Sequence, residues 1–224
     1  MRALSCCHSV AACSLIPHRR KASRRPIGSV SVSTSNTEVA DNALPMGSAH
    51  RRRLILLRHA ESALPERSLR DHDRPLSMAG RADALSVSRK LQKMGWIPEL
   101  ILSSDATRTK ETLKIMLESS KEFSEAEVHF MPSFYPIAAM DGHTAEHLQK
   151  VICEYSRDDV LTVMCMGHNR GWEEAASMFS GSSIELKTCN AALLETIGKS
   201  WNEAFTSAGL GGWKLEGIVK PNST

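Results

Sequence analysis

The stretch RRRLILLRHAES, residues 51–62, decides the fold. Its apolar run, Leu54–Leu57, has the length and the branched side chains of a strand that is buried on both faces of a sheet. The three arginines before it, Arg51–Arg53, are interpreted as a solvated run. The run ends abruptly at Arg58 and His59. The sequence therefore predicts a buried strand that delivers a guanidinium and an imidazole at its carboxyl end.

Beyond this stretch, short apolar runs alternate with helical patterns, which predicts a single α/β domain. Strands are predicted at 54–57, 99–104, 127–132, 160–167, 191–197 and 212–219. Helices are predicted at 77–95, 105–120, 144–156 and 171–181. Ser77 and Asp105 are the predicted N-caps of the first two helices, because short polar side chains satisfy free N–H groups there.

Polar residues follow three of the predicted strands directly. Arg58-His59 follows the first, Ser103-Ser104 and then Arg108 follow the second, and His168 follows the fourth. In open α/β sheets, ligands bind in the crevice beyond the carboxyl ends of the strands. The sequence therefore predicts one crevice that holds two arginines and two histidines.

Such a crevice is suited to a phosphoryl group. Guanidinium groups match phosphate oxygens in a bidentate manner and stay charged at any working pH. Positive neighbours disfavour the protonated form of histidine, and a neutral imidazole is a nucleophile. A second histidine and the arginines can stabilise the charge of the transferring group, so this chemistry needs no metal ion and no cofactor.

Six segments carry a resemblance to a known family. They are LLRHAES, DHDRPLSMAGRADA, SSDATRTKET, MGHNRGWEEAASMFSG, TCNAALLE and GGWKL. Together they resemble the histidine phosphatase, or phosphoglycerate mutase-like, superfamily, and within it the small phosphohistidine-phosphatase-like branch. The resemblance spans roughly residues 53–218. It implies a three-layer α/β/α sandwich with a mostly parallel central sheet and an antiparallel edge.

The resemblance also implies roles at matching positions. His59 would be the nucleophile that forms a phosphohistidine intermediate. Arg58 and Arg108 would bind the phosphoryl group, and His168 would be the second histidine of the pocket. The implied function is a metal-independent phosphatase, with a phosphorylated protein or a small phosphate-bearing compound as its substrate.

Two departures from the family pattern concern the site. Ala60 replaces the usual glycine after the nucleophile. Asn169 stands where acid phosphatases of the superfamily carry an aspartate proton donor. The family pattern therefore does not identify the general acid, and the two candidates are Asp73 and Asp141. A catalytically silent module that binds a phosphorylated ligand, or a mutase-type phosphotransferase, remains the alternative function.

The charge is concentrated at the N-terminus. Residues 1–50 carry six basic and two acidic residues, or +4, which leaves −1 for the remainder of a chain whose net charge is +3. The body thus shows no bulk signature of nucleic-acid binding, and no apolar run approaches the roughly 18 residues of a membrane span.

The tail is rich in serine and lacks acidic residues before Glu38. This composition predicts a disordered transit peptide over 1–50, for the chloroplast or alternatively the mitochondrion, followed by a phosphatase domain over 51–220.

Metal ligation is not expected. HTAEH, residues 143–147, matches a short metalloprotease motif, but here it opens an amphipathic helical pattern and is interpreted as an ordinary helix start. His72 beside Asp73 has no third ligand at a suitable spacing. Cys153, Cys165 and Cys189 lack C-x-x-C spacing and are interpreted as reduced structural thiols.

Overall fold

The structure is a computed structural model that describes residues 48–64 and 68–222. The predicted transit peptide, 1–50, lies outside the described residues except for its last three. The elements in chain order are β1 His50–Arg58, α1 Met78–Lys93, β2 Leu100–Ser103, α2 Thr107–Ser119, α3 Lys121–Ser124, β3 Glu127–Phe130, α4 Phe134–Ile137, α5 Thr144–Tyr155, β4 Thr162–Gly167, α6 Gly171–Ser180, β5 Ala191–Gly198, α7 Trp201–Ala208 and β6 Lys214–Val219. A 3₁₀ turn, Asp71–Asp73, lies between β1 and α1.

The described strands form one six-stranded sheet in the order β3-β2-β4-β1-β5-β6. The pairs β1–β4, β2–β4 and β2–β3 are parallel. The pairs β1–β5 and β5–β6 are antiparallel, so β5 alone runs against the other strands. The predicted, mostly parallel sheet is confirmed. The antiparallel strand lies one position in from the edge, because β6 follows after α7, pairs with β5 and returns to the common direction.

The side chains of β1 point alternately to the two faces of the sheet, and each face is covered by a layer of helices. Leu54 and Leu56 pack into a core with residues of α5, α6 and α7, whereas Ile55 and Leu57 pack into a second core with residues of α1 and α2. All four side chains are fully buried. A strand between two helical layers has no solvated face, which is why its sequence is a continuous apolar run. The predicted α/β/α sandwich is therefore confirmed.

The interpretation of Arg51–Arg53 as a solvated run holds for Arg51, whose side chain is 65% exposed, and is wrong for Arg52. β1 begins at His50, and the side chain of Arg52 is completely buried. Its guanidinium donates to the carbonyls of Asp158 at 2.8 Å, Val160 at 2.7 Å and Gly198 at 3.2 Å, and also to that of Lys199. Arg52 therefore ties β1 to the start of β4 and to the end of β5.

The helix caps were predicted in part. Ser77 caps α1, since its side chain accepts a hydrogen bond from the Gly80 N–H. Asp105 does not cap α2: the helix begins one residue later, with Ala106 at the N-cap position and no side-chain capping bond. Instead, Asp105 accepts from Nε2 of His72 at 3.1 Å. Its carboxylate is thus directed to the loop that precedes α1.

Three helices have no counterpart in the prediction: α3, α4 and α7. The first two have four residues each, too short for a periodic pattern to be visible. α7 is capped by Ser200 and buries Trp201 and Phe205 against the sheet. Within the described residues, no helix has the length and apolar character needed to cross a membrane.

Candidate active site

Strand register brings the predicted site residues together. Arg58 of β1 pairs with Gly167 of β4, and Met166 of β4 pairs with Ser103 of β2. The residues that follow these positions continue the register, because the His59 N–H donates to the Gly167 carbonyl at 3.0 Å. His59, Ser104 and His168 therefore leave three neighbouring strands at the same edge of the sheet, as the sequence predicts.

The His59 ring is fixed in one tautomer. Its Nδ1 lies 2.7 Å from the Ala60 carbonyl, which can only accept, so Nδ1 carries the proton. Its Nε2 accepts a hydrogen bond of 3.1 Å from Nε of Arg108. The lone pair of Nε2 therefore points toward the guanidinium. The next residue is anchored as well, since the Ala60 N–H donates to Oγ1 of Thr112 at 3.1 Å.

His168 lies on the other side of the same guanidinium. Its ring centre is 5.2 Å from that of His59, and its Nδ1 is 3.4 Å from Nη2 of Arg108. Its Nε2 is 2.8 Å from Oγ of Ser104. Because Nδ1 faces a donor, the proton belongs on Nε2, where it is donated to the serine. Arg108 thus lies between two imidazoles and holds both in place.

Burial keeps both imidazoles neutral. Each histidine is only 7% exposed. Burial, together with the charges of Arg108 and Arg58, lowers the pKa of His59 to about 4. Burial, with positive charge on His59 and Arg108, lowers the pKa of His168 to about 2. At neutral pH the site therefore contains two uncharged rings and two guanidiniums, which is a net positive cavity with an available lone pair.

Arg58 has donors to spare. Its Nη1 donates to the Leu186 carbonyl at 2.8 Å, which fixes the end of the side chain against the loop before β5. Its Nε is buried and has no hydrogen-bond partner among the described residues. A buried N–H without a partner is costly, and an anion bound in the crevice can satisfy it.

The structure separates the two candidate acids from this group. Asp73 binds Nε of Arg70 at 2.8 Å and Nδ1 of His72 at 3.1 Å. Asp141 is exposed on the segment between α4 and α5, and no hydrogen bond or ion pair of its side chain is found within residues 48–64 and 68–222. Neither carboxylate contacts the histidines or arginines of the crevice.

A different carboxylate contacts Arg108. Asp71 Oδ2 accepts from Nη2 of Arg108 at 3.0 Å and from the hydroxyl of Tyr135 at 2.8 Å, and its Oδ1 accepts from Arg74 at 3.0 Å. Tyr135 also places its ring edge-on to His168, 5.1 Å between centres. Neither residue is among those predicted from the sequence. Asp71 had a signal, since it opens the DHDRP segment; Tyr135 lies in a helix of four residues and had none.

Gly167 lets the second histidine reach its position. A Cβ on this residue would lie 2.2 Å from the ring of Trp172, which is fully buried and donates its Nε1–H to the Cys165 carbonyl at 3.0 Å. Trp172 therefore passes directly under the end of β4. Any side chain at 167 would displace the strand end that carries His168.

The described part of the chain contains no group of three or more His, Cys, Asp or Glu side chains arranged to hold a metal ion. His147, of the HTAEH segment, is hydrogen-bonded to Ser133 at 2.9 Å. Cys165 and Cys189 are buried, and burial raises the pKa of both thiols.

An imidazole set among guanidiniums is suited to phosphoryl chemistry. The comparison with known families gives the class of this protein, which is a phosphatase. The chain belongs to the histidine phosphatase superfamily: residues 54–160 match the model of its branch 1. An uncharacterized chloroplastic protein of Arabidopsis thaliana is 63% identical over 186 residues, which are 83% of this chain and 85% of the relative.

Solved structures agree with the fold. The SixA protein of Agrobacterium tumefaciens superposes with a TM-score of 0.58 at 23% identity, over 76% of this chain and 99% of the other. The protein histidine phosphatase SixA complexed with tungstate superposes with a TM-score of 0.57 at 20% identity, over 75% of this chain and 97% of the other. The predicted family and fold are confirmed. The roles of the individual site residues remain predictions.

Proposed function

We propose that this phosphatase acts without a metal ion and transfers the phosphoryl group of its substrate to Nε2 of His59 before hydrolysis. One observation carries the proposal: the His59 ring is buried, neutral at physiological pH, and held with its Nε2 lone pair toward a guanidinium. This orientation directs the lone pair to the place where a phosphoryl group bound by Arg108 would lie. A nucleophile for phosphorus requires it.

In the proposed reaction, Arg108 and Arg58 bind the phosphoryl oxygens. The bond from Arg108 to His59 Nε2 is replaced by bonds to the substrate, which frees the lone pair for attack on phosphorus. His168 lies 5.2 Å from His59 and can donate to an equatorial oxygen once it binds a proton in the presence of the phosphate charge. Phosphoryl transfer depends mostly on positioning and charge stabilisation, which two arginines and a histidine supply without a metal.

The names of the structural neighbours indicate a broad substrate class. One structural neighbour bears the name protein histidine phosphatase, and another, with a TM-score of 0.51, is a mycobacterial glucosyl-3-phosphoglycerate phosphatase. We therefore propose a phosphohistidine protein or a small phosphate compound as substrate. The Arabidopsis relative is named chloroplastic, which supports the chloroplast and a transit peptide over residues 1–50 here. A fluorescent fusion of the full chain that stays in the cytosol would contradict this location.

The test is to trap the covalent intermediate. The full-length protein is mixed with ³²P-labelled acetyl phosphate in the presence of a chelator and quenched in alkali, which preserves phosphohistidine. We expect label on His59, no label in His59→Ala, and wild-type labelling in His129→Ala, a control at a partly exposed histidine of β3.

Other results would redirect the interpretation. No label and no turnover with several phosphate donors would contradict the proposal and favour the silent binding module. Label that passes to a second phosphate acceptor rather than to water would favour the mutase-type alternative. Turnover that stops in chelator and returns with a divalent ion would contradict metal independence.

A further inference from the structure

The carboxylate of Asp71 is in direct contact with Arg108, the guanidinium between the two histidines of the crevice. It shares Arg108 with the nucleophile: Nε of this guanidinium contacts His59 Nε2 at 3.1 Å, and its Nη2 contacts Asp71 Oδ2 at 3.0 Å. We propose that Asp71 donates the proton to the leaving group and afterwards removes a proton from the attacking water. This inference rests on the proposed phosphatase function.

Two of the partners of Arg108, His59 and Asp71, are buried to different depths. His59 is 7% exposed at the floor of the crevice, whereas the Asp71 side chain is 54% exposed at its rim. A phosphoryl group held by Arg108 therefore has the nucleophile on its inner side and Asp71 on its outer side. Attacking and leaving atoms lie roughly in line in phosphoryl transfer. The leaving group accordingly departs on the side where Asp71 lies.

The charges around Asp71 explain how it can carry a proton only when substrate is bound. Partial burial alone would raise its pKa, but hydrogen bonds from Tyr135, Arg74 and Arg108 lower the pKa to about 2 in the free enzyme. Tyr135 faces it from α4, Arg108 from α2 and Arg74 from the end of the 3₁₀ turn. The imidazoles of His59 and His168 interact with its charge but form no hydrogen bond with it among the described residues.

Substrate binding changes this balance. A phosphate monoester has a second pKa of about 6, so near neutral pH part of it arrives as the monoanion and carries one proton into the site. Its oxygens compete with Asp71 for Arg108 and place negative charge beside the carboxylate. Loss of a hydrogen bond and gain of a like charge both raise a carboxylate pKa. The proton of the substrate can then reside on Asp71.

The steps conserve atoms and protons. In the first, the His59 Nε2 lone pair forms the N–P bond, the P–O bond to the leaving group breaks, and the Asp71 proton goes to the leaving oxygen. In the second, a water oxygen attacks phosphorus, Asp71 takes one water proton, and the electrons of the N–P bond return to Nε2. The proton that Asp71 took from water passes to the product phosphate, which leaves as the monoanion. The products are the free alcohol and phosphate, and Asp71 is again ionised, as in the free enzyme.

The test compares leaving groups. The full-length enzyme and its variants are assayed on aryl phosphates that range from p-nitrophenyl phosphate to phenyl phosphate, whose phenol has a pKa of about 10. We expect Asp71→Asn to lower kcat on phenyl phosphate by about 10²-fold or more, the usual contribution of a general acid, and kcat on p-nitrophenyl phosphate by less than about tenfold. Asp71→Glu should restore part of the loss.

The controls separate this inference from the function on which it rests. Asp141→Asn, at an exposed carboxylate that has no hydrogen bond or ion pair within the described residues, should follow the wild type across the series. With acetyl phosphate, Asp71→Asn should still label His59 and lose the label more slowly. An equal loss on every ester, or a leaving-group-dependent loss in Asp73→Asn instead, would overturn the role of Asp71. Absence of label in the wild type would overturn the phosphatase mechanism itself.

Discussion

Replacing Arg108 with lysine tests the central feature of the crevice while keeping its charge. The guanidinium contacts His59 through Nε at 3.1 Å, and through Nη2 it contacts Asp71 at 3.0 Å and His168 at 3.4 Å. A lysine ammonium is a point charge on a flexible stem and cannot present this planar set of donors. The variant should therefore keep the electrostatic attraction for phosphate and lose the bidentate contact.

The magnitude follows from the burial of the group. The Arg108 side chain is 8% exposed, so solvent screens its bonds little. A hydrogen bond to a charged group contributes about 1.5–3 kcal/mol, and the exchange to lysine removes one or two of those made to the transferring phosphoryl group. Since about 1.4 kcal/mol is tenfold in rate, kcat/KM should fall by about 10- to 10⁴-fold, with about 10² at the centre of this range.

The assay is kcat/KM on p-nitrophenyl phosphate, with thermal unfolding as a check of the fold. The matched control is Arg81→Lys, because Arg81 forms an ordinary ion pair with Glu111 at 3.0 Å and is 44% exposed. The control should retain wild-type kinetics. If Arg108→Lys stays within threefold of the wild type, the fork-like recognition of phosphate by this residue is refuted.

Two further predictions concern stability. The pKa values of His59 and His168 lie below 6.5, the pKa of a histidine in an unfolded chain. Between about pH 4 and 6.5 the unfolded state therefore binds more protons than the folded state. As the pH decreases through this window, the free energy of unfolding should fall by about 1.4 kcal/mol per pH unit for each histidine. Urea unfolding at pH 7 and pH 5 measures this, and an unchanged slope in His59→Gln would contradict it. Arg52→Met should lower the free energy of unfolding by about 2–4 kcal/mol, because buried carbonyls lose a charged donor. Arg51→Met, at a 65% exposed side chain of the same strand, should change little, and equal midpoints for the two variants would argue against the role assigned to Arg52.

The part of the site carried by the sheet was predictable from sequence because it is encoded locally. A strand buried on both faces reads as an apolar run, and the residue after its end is fixed at the edge of the sheet. His59 and His168 each directly follow the last residue of such a strand. Parallel neighbours share one edge, so recognising two strands is enough to bring their terminal side chains together.

The burial of Arg52 could not be predicted from the local sequence. Three consecutive arginines before a strand are usually solvated, and nothing in RRR marks the middle one for burial. Its partners are carbonyls more than 100 residues away in sequence, at Asp158, Val160, Gly198 and Lys199. Only the crossing of β1 with two distant chain segments makes burial of this charge favourable, since buried charges must be hydrogen-bonded.

The proposed proton-transfer group differs from the two candidates predicted from the sequence, for a related reason. Asp71 and Asp73 are the same residue type in the same short segment, but the 3₁₀ turn directs them to different partners. Asp73 contacts Arg70 and His72, whereas Asp71 contacts Arg108. Which one meets the crevice depends on how the segment before α1 folds against α2. Loops tolerate change better than strands do. The proposed nucleophile is thus held by the sheet and the proposed acid by a connecting segment, so we expect changes in this turn alone to alter the leaving-group preference.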